Sequence, residues 1–248
     1  MQRLLVAVVV CLLGGRNASA GEMFFLSDLS GLSAELEFTL LDSTTLEVRA
    51  KNTSTGVPDD FNSSDQLLTG ISWDFGHAGY NGDPEITGGC VVIGDTSTSV
   101  NFNTGTYGPG FDVSGEYGYG NEDGTGALPN FITATAARAT PFGGANLDGP
   151  VSIDGPQAGL VADPIPVFLG GLGAIQNEII ATLTLSEPLP DLGCLQQNLV
   201  RVEFGSNAFF ITSPEPATAL LLLVGCGVQM LRRQRHPGFR GGTHQSRS

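Results

Sequence analysis

Leu36-Glu37-Phe38-Thr39-Leu40-Leu41-Asp42-Ser43-Thr44-Thr45-Leu46-Glu47-Val48-Arg49-Ala50-Lys51 is the stretch that decides the fold. Leu36, Phe38 and Leu40 alternate with Glu37 and Thr39. After the polar turn Ser43-Thr44-Thr45, Leu46, Val48 and Ala50 alternate with Glu47, Arg49 and Lys51. A period of two puts every apolar side chain of a strand on one face, so the stretch predicts a hairpin with one buried and one wet face. Asn52-Thr53-Ser54 ends the second strand, and a polar loop runs to Asp65. Residues 67–75 read as the next strand, with Leu68, Ile71, Trp73 and Phe75 in the core. Shorter strands are expected at 90–93, 98–102 and 131–137, and a stronger trio at 178–185, 199–204 and 208–212. Long loops fill 105–129 and 141–166. Outside the two ends, no stretch sustains a 3.6-residue period and no repeat recurs at a fixed spacing. Many short strands with turn signals between them predict an all-β fold, an antiparallel β-sandwich or jelly roll.

The ends of the chain differ from this body. Met1-Gln2-Arg3 is basic, residues 4–13 are apolar, and Ala18-Ser19-Ala20 is an A-x-A cleavage site. Together they read as a secretory signal peptide over residues 1–20, with the mature chain starting at Gly21. Cys11 follows Val10 rather than a small residue, which argues against a lipoprotein. At the other end, Ser213-Pro214-Glu215-Pro216 precedes the uncharged run 217–231 and the cluster Arg232-Arg233-Gln234-Arg235. As a helix, fifteen residues span about 22 Å against roughly 30 Å of hydrocarbon, short for a permanent anchor. The arginines behind it favour the cytoplasmic side, leaving the body of the protein outside. Pro214 and Pro216 keep the chain before the helix extended. The organisation is then a signal peptide (1–20), a β-sandwich ectodomain (21–213), a sorting segment with a short hydrophobic helix (214–235) and a polar tail (236–248).

A Pro-Glu-Pro, a short apolar helix and an Arg cluster in this order resemble the PEP-CTERM sorting signal of bacterial exported proteins. The resemblance implies recognition of Pro214, Glu215, Pro216, Arg232, Arg233 and Arg235 by an exosortase, a membrane-embedded enzyme that cuts near the Pro-Glu-Pro. The body is more loosely similar to other exosortase-dependent surface proteins. This second likeness runs through Asn52-Thr53-Ser54, Leu68-Thr69-Gly70-Ile71-Ser72-Trp73-Asp74-Phe75, and Gly155-Pro156-Gln157-Ala158-Gly159-Leu160 leading to Ile179-Ile180-Ala181-Thr182-Leu183-Thr184-Leu185. Such families are β-rich and mostly without assigned activity.

Charge narrows the partners. Of the chain's 25 acidic residues only Glu215 lies outside 21–213, which leaves 24 there against four basic ones, Arg49, Lys51, Arg138 and Arg201. The body thus carries a net charge of about −20, against −14 for the whole chain. Nucleic-acid backbones need clustered Lys and Arg, so no nucleic-acid partner is expected. Solubility and mutual repulsion are the plain account of the acidity, with divalent-cation binding or contact with a cationic partner as the alternatives. Cys90 and Cys194 remain after processing, and in an exported chain they are a candidate disulfide closing a loop of about a hundred residues, worth about 4–5 kcal/mol. The alternative is two separate buried thiols.

Three chemistries can be weighed. Asn146, Asp148, Asp154 and Asp163 share one Gly/Pro-rich loop, and Asn121, Glu122 and Asp123 share another, so Asp148 and Asp154 are the calcium candidates. Neither segment fits the D-x-[DN]-x-[DN]-G template, and solvated Asx turns explain both, so no cofactor is assigned. Trp73, Tyr80, Tyr107, Phe111, Tyr117 and Tyr119 offer rings that can stack on sugars. Trp73 reads as core, which leaves Tyr107, Tyr117 and Tyr119 in their Gly-rich loop as the sugar-contact candidates. Paired carboxylates could hydrolyse glycosides, but with 24 acids in the body pairs arise by chance. There is no G-x-S-x-G, no H-E-x-x-H and no phosphate loop, and His77 is the body's lone histidine. The sequons at Asn52 and Asn62 read as turn chemistry.

The sequence thus predicts a non-enzymatic protein of the cell surface or extracellular matrix. It would be exported by the Sec machinery, inserted transiently in the inner membrane by its C-terminal helix, and processed by an exosortase. A carbohydrate-binding module of an exopolysaccharide matrix is the alternative, and an exported hydrolase the third.

Overall fold

The computed structural model describes residues 21–212 apart from 56–62, 77–81, 103–104, 121–127, 135–146, 148–158, 165–168, 170, 196–198 and 206–208. Signal cleavage at Ala18 and Ala20, the sorting residues from Pro214 to Arg235 and the polar tail lie outside the described residues. The chain divides between Ser213 and Pro214. Every described element belongs to the first unit.

The strands are β1 (Glu22–Ser27), β2 (Ser33–Asp42), β3 (Thr45–Asn52), β4 (Leu68–Trp73), β5 (Ile86–Ile93), β6 (Thr98–Val100), β7 (Gly118–Gly120), β8 (Asn130–Thr133), β9 (Leu160–Val161), β10 (Ala174–Gln176), β11 (Glu178–Leu185), β12 (Val200–Phe204) and β13 (Phe209–Thr212). The hairpin that opened the sequence reading is β2–β3, with Phe38 opposite Val48 and Glu37 opposite Arg49. Asp42 closes it by accepting from the Thr44 backbone N–H at 2.8 Å and from the Thr44 hydroxyl at 3.1 Å. That backbone bond, with help from Thr45, holds the Asp42 carboxyl below its usual pKa. A register shift between Leu40 and Asp42 bulges Leu41 out of the ladder.

Two sheets stack. One has the order β1-β2-β3-β11-β5 and is antiparallel throughout. The other runs β13-β12-β4-β9-β10-β6, with β8 and β7 branching from β4. It is mixed, because β9 and β10 pair in parallel. The expected antiparallel sandwich is therefore present with one parallel exception. Leu36, Phe38, Val48, Ala181 and Leu183 of the first sheet join Ile71, Trp73, Val202 and Phe204 of the second in one core cluster. An edge-to-face chain of rings threads this core. Phe24 meets Phe38 at 5.5 Å, Phe38 meets Trp73 at 5.5 Å, and Trp73 meets Phe75 at 6.3 Å. Offset or edge-on ring pairs add about 0.5–1.5 kcal/mol each beyond their buried area.

Leu68, Ile71, Trp73 and Phe75 are all buried, as read. Leu68 and Ile71 are three residues apart yet share a face. The register slips where Glu203 faces Gly70 but Phe204 faces Leu68, so Thr69 is the extra residue. Its hydroxyl donates to the Gly205 carbonyl instead.

One polar side chain ties the two sheets together. Asn52, at the end of β3, is buried; its Nδ2 donates to the carbonyls of Leu160 at 2.7 Å and Gln66 at 3.3 Å. Its Oδ1 accepts the Ser54 N–H at 3.0 Å. The sequon at Asn52 is thus a structural corner, with its amide inside the protein.

Several elements were not anticipated. β1 begins at Glu22, and Met23-Phe24-Phe25-Leu26 is an unbroken apolar run that hides the alternation. β9 and β10 hold two and three residues, too few to show a period. The expected loop 105–129 contains the 3-10 turn Ser114–Glu116 and β7. The strand expected at 90–93 begins earlier, at Ile86.

Candidate functional site

Residues 107–113 form a clasp across one side of the sandwich. Ser99 of β6 donates its N–H to the Tyr107 carbonyl at 2.8 Å, and its Oγ accepts the Tyr107 N–H at 2.7 Å. A few residues on, Gly110 donates to the Ile93 carbonyl at 2.8 Å, Ile93 to the Phe111 carbonyl at 3.0 Å, and Val113 to the Val91 carbonyl at 2.8 Å. The segment therefore covers β5, an edge of the first sheet, and bonds β6, an edge of the second. Between its two anchors Gly108-Pro109-Gly110-Phe111 turns, closed by Phe111 N–H to Gly108 O at 3.2 Å. Pro at the second position and Gly110 at φ +75° at the third are what a type II turn requires.

The turn stacks Phe111 on Tyr107, with ring centroids 3.8 Å apart and planes 15° from parallel. Phe102 meets Tyr107 edge-on at 6.3 Å. Phe111 remains 41 % exposed, so its outer face is open to solvent on a backbone fixed at both ends. Of the three sugar-contact candidates, Tyr107 is half-buried within this stack. Tyr119 is half-buried and donates its hydroxyl to the Thr87 carbonyl at 3.1 Å. Tyr117 needs correcting. It is 3 % exposed and belongs to the core, and burial, with Glu116 nearby, pushes its phenol well above the usual pKa. It closes the interior behind the loop and offers nothing to a ligand. Trp73 is fully buried, as expected.

Charge is uneven over the molecule. On the outer face of the first sheet Glu37 lies opposite Arg49, and Glu35 opposite Lys51. The Arg49 guanidinium reaches Glu178 at 2.9 Å and Asp95 at 3.2 Å. Two of the body's four basic residues are therefore gathered on β3. On the outer face of the second sheet, side chains lie over glycines. A Cβ at Gly70 would sit 3.0 Å from Glu203 Oε2, and one at Gly120 would sit 2.3 Å from the Phe131 ring. The small cavity there, lined by Gly70, Ser72, Phe131, Thr133 and Glu203, has about 10 Å³ of room, as does a second one against Tyr117 and Leu160. That is one water each, far below the few hundred Å³ of a small-molecule site.

The candidate disulfide is absent. Cys90 is exposed and Cys194 is buried, and both are free thiols. Alternation explains the separation. Cys90 lies opposite Thr182 on the wet face of its sheet, next to fully buried Val91, whereas Cys194 belongs to the core cluster. Burial, followed by the Asp191 charge, pushes the Cys194 thiol up to about 11 despite an opposing backbone bond.

The calcium candidates Asp148 and Asp154, with Asn146, lie outside the described residues, as do Asn121, Glu122 and Asp123. Asp163 is described, and it accepts the Gln176 amide at 2.9 Å. Among the described residues no group of three His, Cys, Asp or Glu gathers to hold a metal. All three histidines, His77 among them, fall outside the described residues. The one built, solvent-open feature that the described residues supply is therefore the aromatic clasp. No protein-family model, curated protein or solved structure matches the chain.

Proposed function

We propose that this chain is an exported, non-enzymatic β-sandwich of the cell surface or extracellular matrix, released from a transient membrane anchor by cleavage near Pro214-Glu215-Pro216. The observation that carries this reading is the boundary between the chain's two units, which falls between Ser213 and Pro214. The last described strand ends at Thr212, two residues before Pro214. Cleavage at the Pro-Glu-Pro would therefore leave every described strand and every described core residue in the product. A Sec-type signal delivers the chain across the membrane, the short apolar run holds it there, and an exosortase cuts it. The product is the body with its net charge of about −20, separated from the arginines at 232, 233 and 235. The test is the mass of the exported protein, compared with that of a variant carrying P214A, E215A and P216A. The variant is expected to stay in the membrane fraction at the mass of the uncut chain.

A second reading is favoured by one observation, the exposed Phe111 ring held rigid on Tyr107. A flat ring with a fixed backbone suits stacking on a sugar, and the body's net negative charge favours neutral over acidic glycans. Retention of the exported protein on a neutral polysaccharide, lost in F111A, would support it. Equal passage of both proteins through a panel of glycans would remove it.

A further inference from the structure

We propose that signal cleavage builds an ion pair: the α-ammonium group that it creates at Gly21 is held by the Glu37 carboxylate, pinning the start of β1 to β2. The inference rests on the signal-peptide reading of residues 1–20 and is independent of the C-terminal one.

It starts from what lies over Gly21. That residue immediately precedes β1 and is exposed. A Cβ built on it would sit 2.9 Å from Glu37 Oε1 and 3.1 Å from Thr39 Oγ1. Backbone dimensions then put the Gly21 nitrogen within about 5.5 Å of that carboxylate oxygen, the range in which opposite charges hold each other. Glycine leaves this space to the carboxylate, which a side chain at 21 would push aside. The Thr39 hydroxyl is a second acceptor, and an ammonium has three N–H groups to offer.

Glu37 is open to such a partner. Its ladder neighbour on β3 is Arg49, but that guanidinium is bonded to Glu178 and Asp95. Among the described residues no ion pair includes Glu37. While the peptide bond to Ala20 is intact, the Gly21 nitrogen is a neutral amide and gives this carboxylate no charge. Cleavage adds one positive group to a body with four basic residues against 24 acidic ones, and it adds it here.

The pin acts where fraying would begin. β1 is an outermost strand of the five-stranded sheet, yet it sends Phe24 and Leu26 into the core. Chain ends fray unless they are tied down. Other charges face Gly21 less directly. Glu22 points to the opposite side of the strand, where partial burial and then the Asp191 charge raise its pKa. Glu47 lies beyond Thr39 on β3, and Arg49 beyond Glu37. Asp28 stands past the other end of β1. In the facing sheet β13 has no titratable residue. Arg201 and Glu203 of β12 lie opposite Ser72 and Gly70, on the far side from the core residues Val200 and Val202.

Attraction to Glu37 raises the pKa of the folded amine above its unfolded value of about 7.7–8.0. The stabilisation is therefore fully present below about pH 7.7 and is lost as pH rises through the folded value.

Amine labelling of the exported protein across pH tests this. Lys51 is the chain's only lysine, so the N-terminal peptide and the Lys51 peptide report the two amines separately by mass. The Gly21 amine is expected to titrate above about 8.0 in the wild type, and E37Q to lower its pKa by about half a unit or more. E35Q removes the same charge from the same face of β2, one rung along, and is expected to move it less than half as far. In unfolding followed by Trp73 fluorescence, the gap between wild type and E37Q should shrink as pH rises through the folded value, and the gap to E35Q should not. An exported chain that starts at a residue other than Gly21 overturns the signal reading and this pairing together. A chain that starts at Gly21 with an amine indifferent to E37Q, or moved as far by E35Q, overturns the pairing alone.

Discussion

Replacing Phe38 with alanine lowers the stability of the sandwich by about 4 kcal/mol, the range seen when a large aromatic side chain is removed from a close-packed core. Phe38 is fully buried in β2 and is the middle link of the ring chain, between Phe24 of β1 and Trp73 of β4. Its loss removes its own transfer energy, empties a space between the sheets and breaks two edge-to-face contacts at once. The neighbours cannot close the gap easily, because both are held by ladder bonds on opposing sheets. The chain has a single tryptophan, and it is one of those neighbours. Denaturant unfolding followed by Trp73 fluorescence therefore reads the site directly. A loss below about 1.5 kcal/mol would mean that the rings do not pack as described.

Asn52→Ala is expected to cost about 3 kcal/mol, although it removes little apolar contact. Three buried backbone groups lose their partner together: the carbonyls of Leu160 and Gln66, and the Ser54 N–H. Each buried group left unmade costs about 1–3 kcal/mol, and water reaches this corner poorly. Asn52→Asp should be no better, since a carboxylate keeps the acceptor for Ser54 but supplies no donor for either carbonyl and buries a charge. Equilibrium unfolding of both variants checks this. A change within about 0.5 kcal/mol of the parent would remove Asn52 as the tie between the sheets.

These two residues also mark how far the sequence could be read. Phe38 was legible because a strand buried on one face writes its core in alternate positions, and β2, β3 and β11 do so cleanly. Asn52 was legible only as a turn residue. That it bonds Leu160, 108 positions away, depends on how the sheets stack, and local spacing cannot encode that. β1 was missed for a related reason. Its outward residues Met23 and Phe25 are as apolar as the inward Phe24 and Leu26, so the period vanished. Leu68 and Ile71 were placed correctly in the core, but the bulge at Thr69 that lets both point inward was invisible.

The site residues divide in the same way. Cys90 and Cys194 invited a disulfide because export permits one. The structure separates them by face, and strand alternation around Val91 carried that information. Tyr117 looked like its loop neighbours in composition, yet the turn Ser114–Glu116 folds it into the interior. Phe111, two residues past the Pro109 turn position, is the ring left outside. Only hydrogen bonds to two different edge strands make that turn rigid, and they are long-range facts.

Described strands that all precede Pro214, a unit boundary at Ser213–Pro214 and a short apolar run in the sequence after it make one proposal: cleavage at the Pro-Glu-Pro leaves every described strand in place. The most direct test is intact-mass measurement of the protein exported by its native cell. The expected mass corresponds to a chain beginning at Gly21 and ending at or near Pro214-Glu215-Pro216, without Arg232, Arg233 and Arg235, and with Cys90 and Cys194 unlinked. An exported protein whose mass still includes residues 217–248 would contradict the proposed release.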